Sequence, residues 1–122
     1  MATELDVVSP EDNLGKVREI LLTYRVHHVP VVTDGKLVGL VTTYDLFKQG
    51  KCVDDYSKLP VKDVMTTGLA VLGPDDKVGS AAELFLEHMF QAVPVVDSDR
   101  KLMGMVTMFD IVRYEFNKEY DH

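Results

Sequence analysis

An internal repeat constrains this chain more than any other feature: the stretch from Leu5 to Lys48 recurs, with one inserted residue, from Leu69 to Arg113. At a shift of about 64 positions, Leu5, Val7, Pro10, Asp12, Gly15, Glu19, Leu22, Val29, Pro30, Val31 and Val32 meet Leu69, Val71, Pro74, Asp76, Gly79, Glu83, Leu86, Val93, Pro94, Val95 and Val96. After a slip of about one residue in the turn, Lys36, Leu37, Gly39, Val41, Thr42 and Asp45 meet Lys101, Leu102, Gly104, Val106, Thr107 and Asp110. Periodicity constrains only apolar positions, so agreement at prolines, glycines and acids marks a duplication. Each unit of roughly 55 residues is too small to bury a convincing core alone, and the halves are expected to share one core about a pseudo-twofold axis.

Each unit opens with a short apolar strand, Leu5 to Val8 or Leu69 to Leu72, which stops at a proline turn. Ser9-Pro10-Glu11-Asp12 supplies a capping hydroxyl, a proline at the first helical position and two carboxylates where the helix dipole favours them. Gly73-Pro74-Asp75-Asp76 repeats the proline and the acids. Leu14, Val17, Ile20 and Leu21 then form a helical stripe, as do Val78, Ala81, Ala82, Phe85 and Leu86.

Val29-Pro30-Val31-Val32 and Val93-Pro94-Val95-Val96 read as strands, with the proline suited to a strand start or an edge because it cannot donate to an inner ladder. Thr33-Asp34-Gly35-Lys36 and Asp97 to Lys101 are hairpin turns, and Leu37 to Thr42 and Leu102 to Thr107 are the returning strands. Each ends in Thr-x-x-Asp and enters a second helix, Tyr44 to Lys48 or Phe109 to about Lys118. The predicted fold is therefore α/β (α+β), two tandem β-α-β-β-α repeats with helices covering the sheets. Repeat 1 spans residues 1–48, repeat 2 with a helical tail spans 63–122, and 49–62 reads as a solvated connector.

Composition narrows the function. The net charge of −7 argues against a nucleic-acid backbone as the main ligand. No apolar run approaches the roughly 18 residues of a membrane span, and no basic segment followed by an apolar one opens the chain, so the cytoplasm is expected. Cys52 is the single cysteine, which precludes an internal disulfide. Asp75-Asp76 is explained by helix-start electrostatics, Glu115 with Glu119 by a solvated face, and no nucleophile elbow, phosphate loop or zinc-protease helix is present, so no enzyme is expected.

Thr42-x-x-Asp45 and Thr107-x-x-Asp110 are the leading candidates for chemistry. A carboxylate in the first helical turn can accept from a vicinal diol, and a hydroxyl with free N–H groups can hold phosphate, a combination that suits a ribose phosphate. The same spacing is also close to a capping box that merely starts a helix.

The tandem units, each with an apolar-Pro-Val-Val strand, a hairpin, Gly-x-Val-Thr-x-x-Asp and a helix, resemble the cystathionine-β-synthase (CBS) domain pair, or Bateman module. Val61-Lys62-Asp63-Val64-Met65-Thr66 looks like that family's Asp-Val-Met-Thr lead-in to its second unit. The resemblance implies a regulatory module that senses AMP, ADP, ATP or S-adenosylmethionine in clefts between repeats, requires no cofactor, forms a homodimer and acts on an effector protein or fused domain. By the same resemblance one cleft joins Thr42 and Asp45 to Met65, Thr66, Gly68, Ala70, Phe90 and Gln91, with Asp45 on the ribose, Thr66 bonding the ligand, the backbone near Ala70 reading the adenine edge and Phe90 walling the base.

The second cleft would join Thr107 and Asp110 to Leu5, Val26, His27 and His28. Its lead-in departs from the pattern, since Met1-Ala2 stands where Met65-Thr66 stands in the other, which points to a start trimmed from a longer chain. His27-His28 has no counterpart in repeat 2, where Gln91-Ala92 stands, and adjacent strand residues point to opposite faces, so one imidazole at most enters a given cleft. In the family this position reaches ligand phosphates. A metal is not expected, since His88 and Cys52 offer no convincing third ligand. The alternative is a dimerisation or protein-interaction module of the same fold whose clefts hold nothing, with Tyr44 and Phe109 filling part of the space.

Overall fold

Each repeat is organised around one antiparallel hairpin, in a computed structural model that describes residues 6–49, 53–77, 79–83 and 92–120. In the first, β1 (His28–Thr33) and β2 (Lys36–Thr42) are joined by Asp34 and Gly35 at φ of 52° and 80°, the left-handed pair that a two-residue type I′ turn needs. In the second, β3 (Ala92–Val96) and β4 (Leu102–Thr107) are joined by a longer turn. There Asp97 Oδ1 accepts from the amides of Asp99 and Lys101, both at 2.9 Å. Both hairpins slip register at the same point, between Val31 and Val32 and between Val95 and Val96. This matching bulge preserves the duplication in three dimensions.

Helix α1 (Leu14–Tyr24) buries Leu14, Val17 and Leu21, with Ile20 packed beside them, as the helical period predicts. Helices α2 (Thr43–Lys48) and α3 (Met108–Tyr120) follow β2 and β4 directly. In the second repeat residues 79–83 are helical and Ala81 is buried, while Val78, Phe85 and Leu86 of the expected stripe lie outside the described residues.

The chain divides into two compact units, Leu5–Leu69 and Ala70–His122. Among the described residues, buried apolar side chains form two clusters, one in each unit. The first gathers Val8, Val29, Val31, Val41 and Leu46 around the α1 stripe. The second has Leu72, Ala81, Val93 and Val95 at its centre among the described residues, with a cavity of about 160 Å³ beside them.

Three local expectations change. The segment Ser9–Asp12 is a turn, closed by the Asp12 amide on the Ser9 carbonyl (3.0 Å) and the Ser9 amide on Asp12 Oδ2 (2.8 Å), and α1 starts only at Leu14 with Asn13 as its cap. The reason is that the Pro10 and Asp12 carbonyls are drawn off by the amides of Lys62 and Val61 (3.0 and 2.7 Å), which leaves them unavailable to a helix.

The opening strands shrink to one parallel bridge each, Val8 with Val31 and Leu72 with Val95. The two prolines stand on a sheet edge, as expected, though not at a strand start: Pro30 and Pro94 are the third residues of β1 and β3, on the side away from β2 and β4 that meets only this single bridge.

The stretch read as a solvated connector is part of the first core. Tyr56 and Val61 are buried in it, with Leu59 packed alongside, and the Leu59 carbonyl accepts from the Leu14 amide at 3.0 Å. A 3₁₀ turn over Val53–Lys58 delivers Tyr56, whose hydroxyl donates to the Leu46 carbonyl at 3.4 Å.

Candidate functional site

The start of α2 is a complete capping box. The Thr42 amide donates to Asp45 Oδ2 (2.9 Å), the Thr42 hydroxyl donates to the same oxygen (3.1 Å), and the Asp45 amide donates to Thr42 Oγ1 (3.2 Å). Asp45 is the buried charged side chain among the described residues, at 5% exposure. Its Oδ1 accepts from no described donor, so the cap occupies only half of the carboxylate.

Repeat 2 reproduces the motif: the Thr107 amide donates to Asp110 Oδ2 (2.8 Å) and the Asp110 amide to Thr107 Oγ1 (3.2 Å). Capping and ligand binding, posed as rivals by the sequence, are compatible on one carboxylate, because the cap leaves one oxygen over.

A side chain that the sequence assigned elsewhere stands beside this box. His28 on β1 pairs with Thr42 on β2, and the Thr43 amide donates to the His27 carbonyl at 3.1 Å. Even-numbered residues of β1 turn their backbone groups toward Val8, since Pro30 accepts from the Val8 amide and Val32 donates to the Val8 carbonyl. His28 and Thr42 therefore form a non-hydrogen-bonded pair, the arrangement in which cross-strand side chains come closest. Burial pushes the His28 imidazole below its ordinary pKa of 6.5, the charge of His27 adds to this, and the Asp45 carboxylate opposes it.

On the other side of β2, Thr66 exchanges backbone bonds with Leu40 at 3.0 and 2.9 Å, two residues along the strand from Thr42. Met65 is held there by the absence of a side chain at Gly39: a Cβ at that position would lie 2.6 Å from Met65 Sδ and 2.9 Å from its Cγ. The structure thus gathers Thr42, Asp45, His28, Met65 and Thr66 in one unit.

Gly68 follows at φ 66° in open space, and Ala70 is half-buried. Val26 and His27 are exposed. Phe90, Gln91 and Leu5 lie outside the described residues, as do Met1, Ala2 and Cys52.

Tyr44 and Phe109 are exposed at 66% and 64%, and each carries a cation over its ring, Lys48 at 5.4 Å and Arg113 at 4.7 Å from the ring centres. The proximity of His28 to Asp45 is what sequence reasoning missed. Counting the register back from Asp34-Gly35 with no bulge puts His27, not His28, opposite Thr42. The bulge moves the pairing by one, and no residue type announces it.

Among the described residues no three His, Cys, Asp or Glu side chains group to hold a metal, and no helix is long and apolar enough to cross a membrane.

Three known proteins resemble the chain closely. Inosine-5'-monophosphate dehydrogenase of Methanocaldococcus jannaschii is 35% identical over 107 residues, which are 87% of this chain and 21% of that enzyme. The chain thus spans about a fifth of the enzyme's length. CBSX2, a CBS-pair protein from Arabidopsis thaliana solved in complex with AMP, superposes with a TM-score of 0.86 at 32% identity, covering 98% of this chain and 94% of that one. The CBS domain pair of the protein MJ0100, solved with 5-methylthioadenosine and S-adenosyl-L-methionine, superposes at 0.76 with 28% identity over 91% of this chain and 92% of that one. The family model for the CBS domain matches residues 1–51 and again residues 61–117, and the repeat, the paired hairpins and the twin capping boxes agree with it: the chain belongs to the CBS domain family and carries two copies of the domain.

Proposed function

We propose that this chain is a regulatory module that binds an adenine nucleotide or adenosyl compound and transmits its occupancy to an effector protein or fused domain. The observation that carries this reading is the half-used carboxylate of Asp45: one oxygen caps α2 and the other accepts from no described donor beside Thr42 and His28. A free carboxylate oxygen at a helix start suits the two hydroxyls of a ribose, and the helix-start amides suit a phosphate. The similar proteins solved with AMP and with S-adenosyl-L-methionine support the same ligand class. Thr66 is a further contact on this reading, with Thr107 and Asp110 serving the second site. Occupancy acts by favouring one of two arrangements of the module, and only a difference in affinity between them can shift their populations.

The test is the thermal midpoint of the purified chain with millimolar AMP, ADP, ATP, S-adenosylmethionine or purine riboside monophosphate. A ligand at about 100 times its Kd stabilises by roughly 2.7 kcal/mol, a rise of several degrees for a domain of this size. A flat panel overturns the sensing reading.

One observation favours a second reading, an interaction module that holds no ligand. Tyr44 and Phe47 on α2, and Phe109 and Val112 on α3, are exposed apolar pairs at equivalent positions, with Phe47 at 84%. A second copy of the chain is the proposed cover, and sedimentation that returns a monomer at micromolar concentration overturns it.

A further inference from the structure

The two prolines at the centre of the hairpins have a consequence that the capping boxes do not explain. In the first unit the parallel bridge consists of the Val8 amide on the Pro30 carbonyl (3.0 Å) and the Val32 amide on the Val8 carbonyl (2.8 Å). The second unit repeats it, with the Leu72 amide on the Pro94 carbonyl and the Val96 amide on the Leu72 carbonyl, both at 2.9 Å. In a parallel ladder the next rung toward the N-terminus takes the N–H of residue 30 to the carbonyl of Asp6, and the N–H of residue 94 to the carbonyl of Ala70. Proline has no N–H, so neither rung can form. No backbone hydrogen bond joins Asp6 to β1 or Ala70 to β3. The ladder ends after one residue in both units, and each is left with one carbonyl that its neighbouring strand cannot satisfy.

We infer that Pro30 and Pro94 are specificity-determining residues: by withholding an N–H, each keeps one backbone carbonyl, that of Asp6 or of Ala70, open to a ligand edge that donates a hydrogen bond. On the adenosyl reading above, on which the ligand half of the inference rests, that donor is the amine of the purine ring. An unpaired carbonyl discriminates sharply, because a ligand without the donor leaves it desolvated and unbonded. The prolines act at one remove from the ligand. They are positioning residues, and their substitution has a signature that simple destabilisation lacks: the replacement gains an amide, and that amide gains a partner.

The experiment uses the intact chain and two variants, Pro94→Val and Pro94→Ala, so that one folded protein suffices. Amide hydrogen exchange reads residue 94, and calorimetry compares AMP with purine riboside monophosphate, which lacks the 6-amino group. The expected result is a protected amide at residue 94, AMP affinity lowered by about tenfold, and a preference of AMP over the des-amino compound that falls from about tenfold toward unity. An unprotected amide at residue 94 overturns the inference, as does an unchanged preference in the variants. Failure of the wild-type chain to bind either nucleotide overturns the sensing reading, while protection at residue 94 in the same preparation upholds the terminated ladder by itself.

Discussion

The two oxygens of Asp45 are not equivalent, and substitution can separate them. Asp45→Ala removes the cap and the free oxygen together, and is expected to cost about 1 kcal/mol of stability. Asp45→Asn keeps an acceptor for the Thr42 amide but puts an amide nitrogen on the other branch. It is expected to hold the thermal midpoint nearer wild type while AMP affinity falls at least as far as in the alanine variant, and a calorimetric titration with unchanged affinity would sink Asp45 as the ribose anchor. His28 supplies a pH dependence whose sign follows from its surroundings. Its imidazole titrates below its ordinary 6.5 in the folded state, so the unfolded chain binds more protons as the pH drops through 6.5. The stability from keeping His28 neutral is complete above that value and is lost as the pH falls toward the lower folded value. Denaturant midpoints from about pH 8 to about pH 5 should therefore decline more steeply for wild type than for His28→Gln, and parallel curves would refute the assignment. At this scale the Thr-x-x-Asp boxes were legible in the sequence because capping is a local hydrogen-bond pattern. The partnership of His28 with Asp45 was not, because it depends on the register of a hairpin.

Among the elements, β2 shows how a glycine serves packing. Gly39 is buried and Met65 lies where its Cβ would be, so Gly39→Ala must displace the Met65 side chain and loosen the Leu40–Thr66 bridge. A loss of about 1 to 3 kcal/mol is expected, the usual range for overpacking a filled site, with faster amide exchange at Thr66 as the local reporter. A variant as stable as wild type would show that Met65 moves away at no cost. The Asp-Gly turn and the α1 stripe were readable because turn chemistry and helical period are written in adjacent residues. The start of α1 was misjudged because Pro10 and Asp12 give their carbonyls to Val61 and Lys62, roughly 50 residues away, and local capping preferences carry no trace of such a partner.

In the molecule as a whole, the duplication yields two units of one plan, and the first adds Tyr56 and Val61 to its core. Val61 is fully buried, and Val61→Ala is expected to destabilise the chain by roughly 2 kcal/mol through lost burial and the void left behind. An unchanged denaturant midpoint would show that the segment is the solvated connector its composition suggested. Its charged residues, with Gly50 and Pro60, pointed that way because composition averages over neighbours, whereas burial is decided side chain by side chain. The repeat, the α-β-β-α order of the first unit, the two hairpins and the paired Thr-x-x-Asp helix starts follow from the order of residues alone, because each rests on a period, a turn or a cap spanning a few positions. The one-residue bulges that bring His28 opposite Thr42, the single-rung ladders ended by Pro30 and Pro94, and the recruitment of Tyr56 and Val61 into the first core were decided only in three dimensions, where distant backbone groups compete for the same hydrogen bonds and the same apolar space.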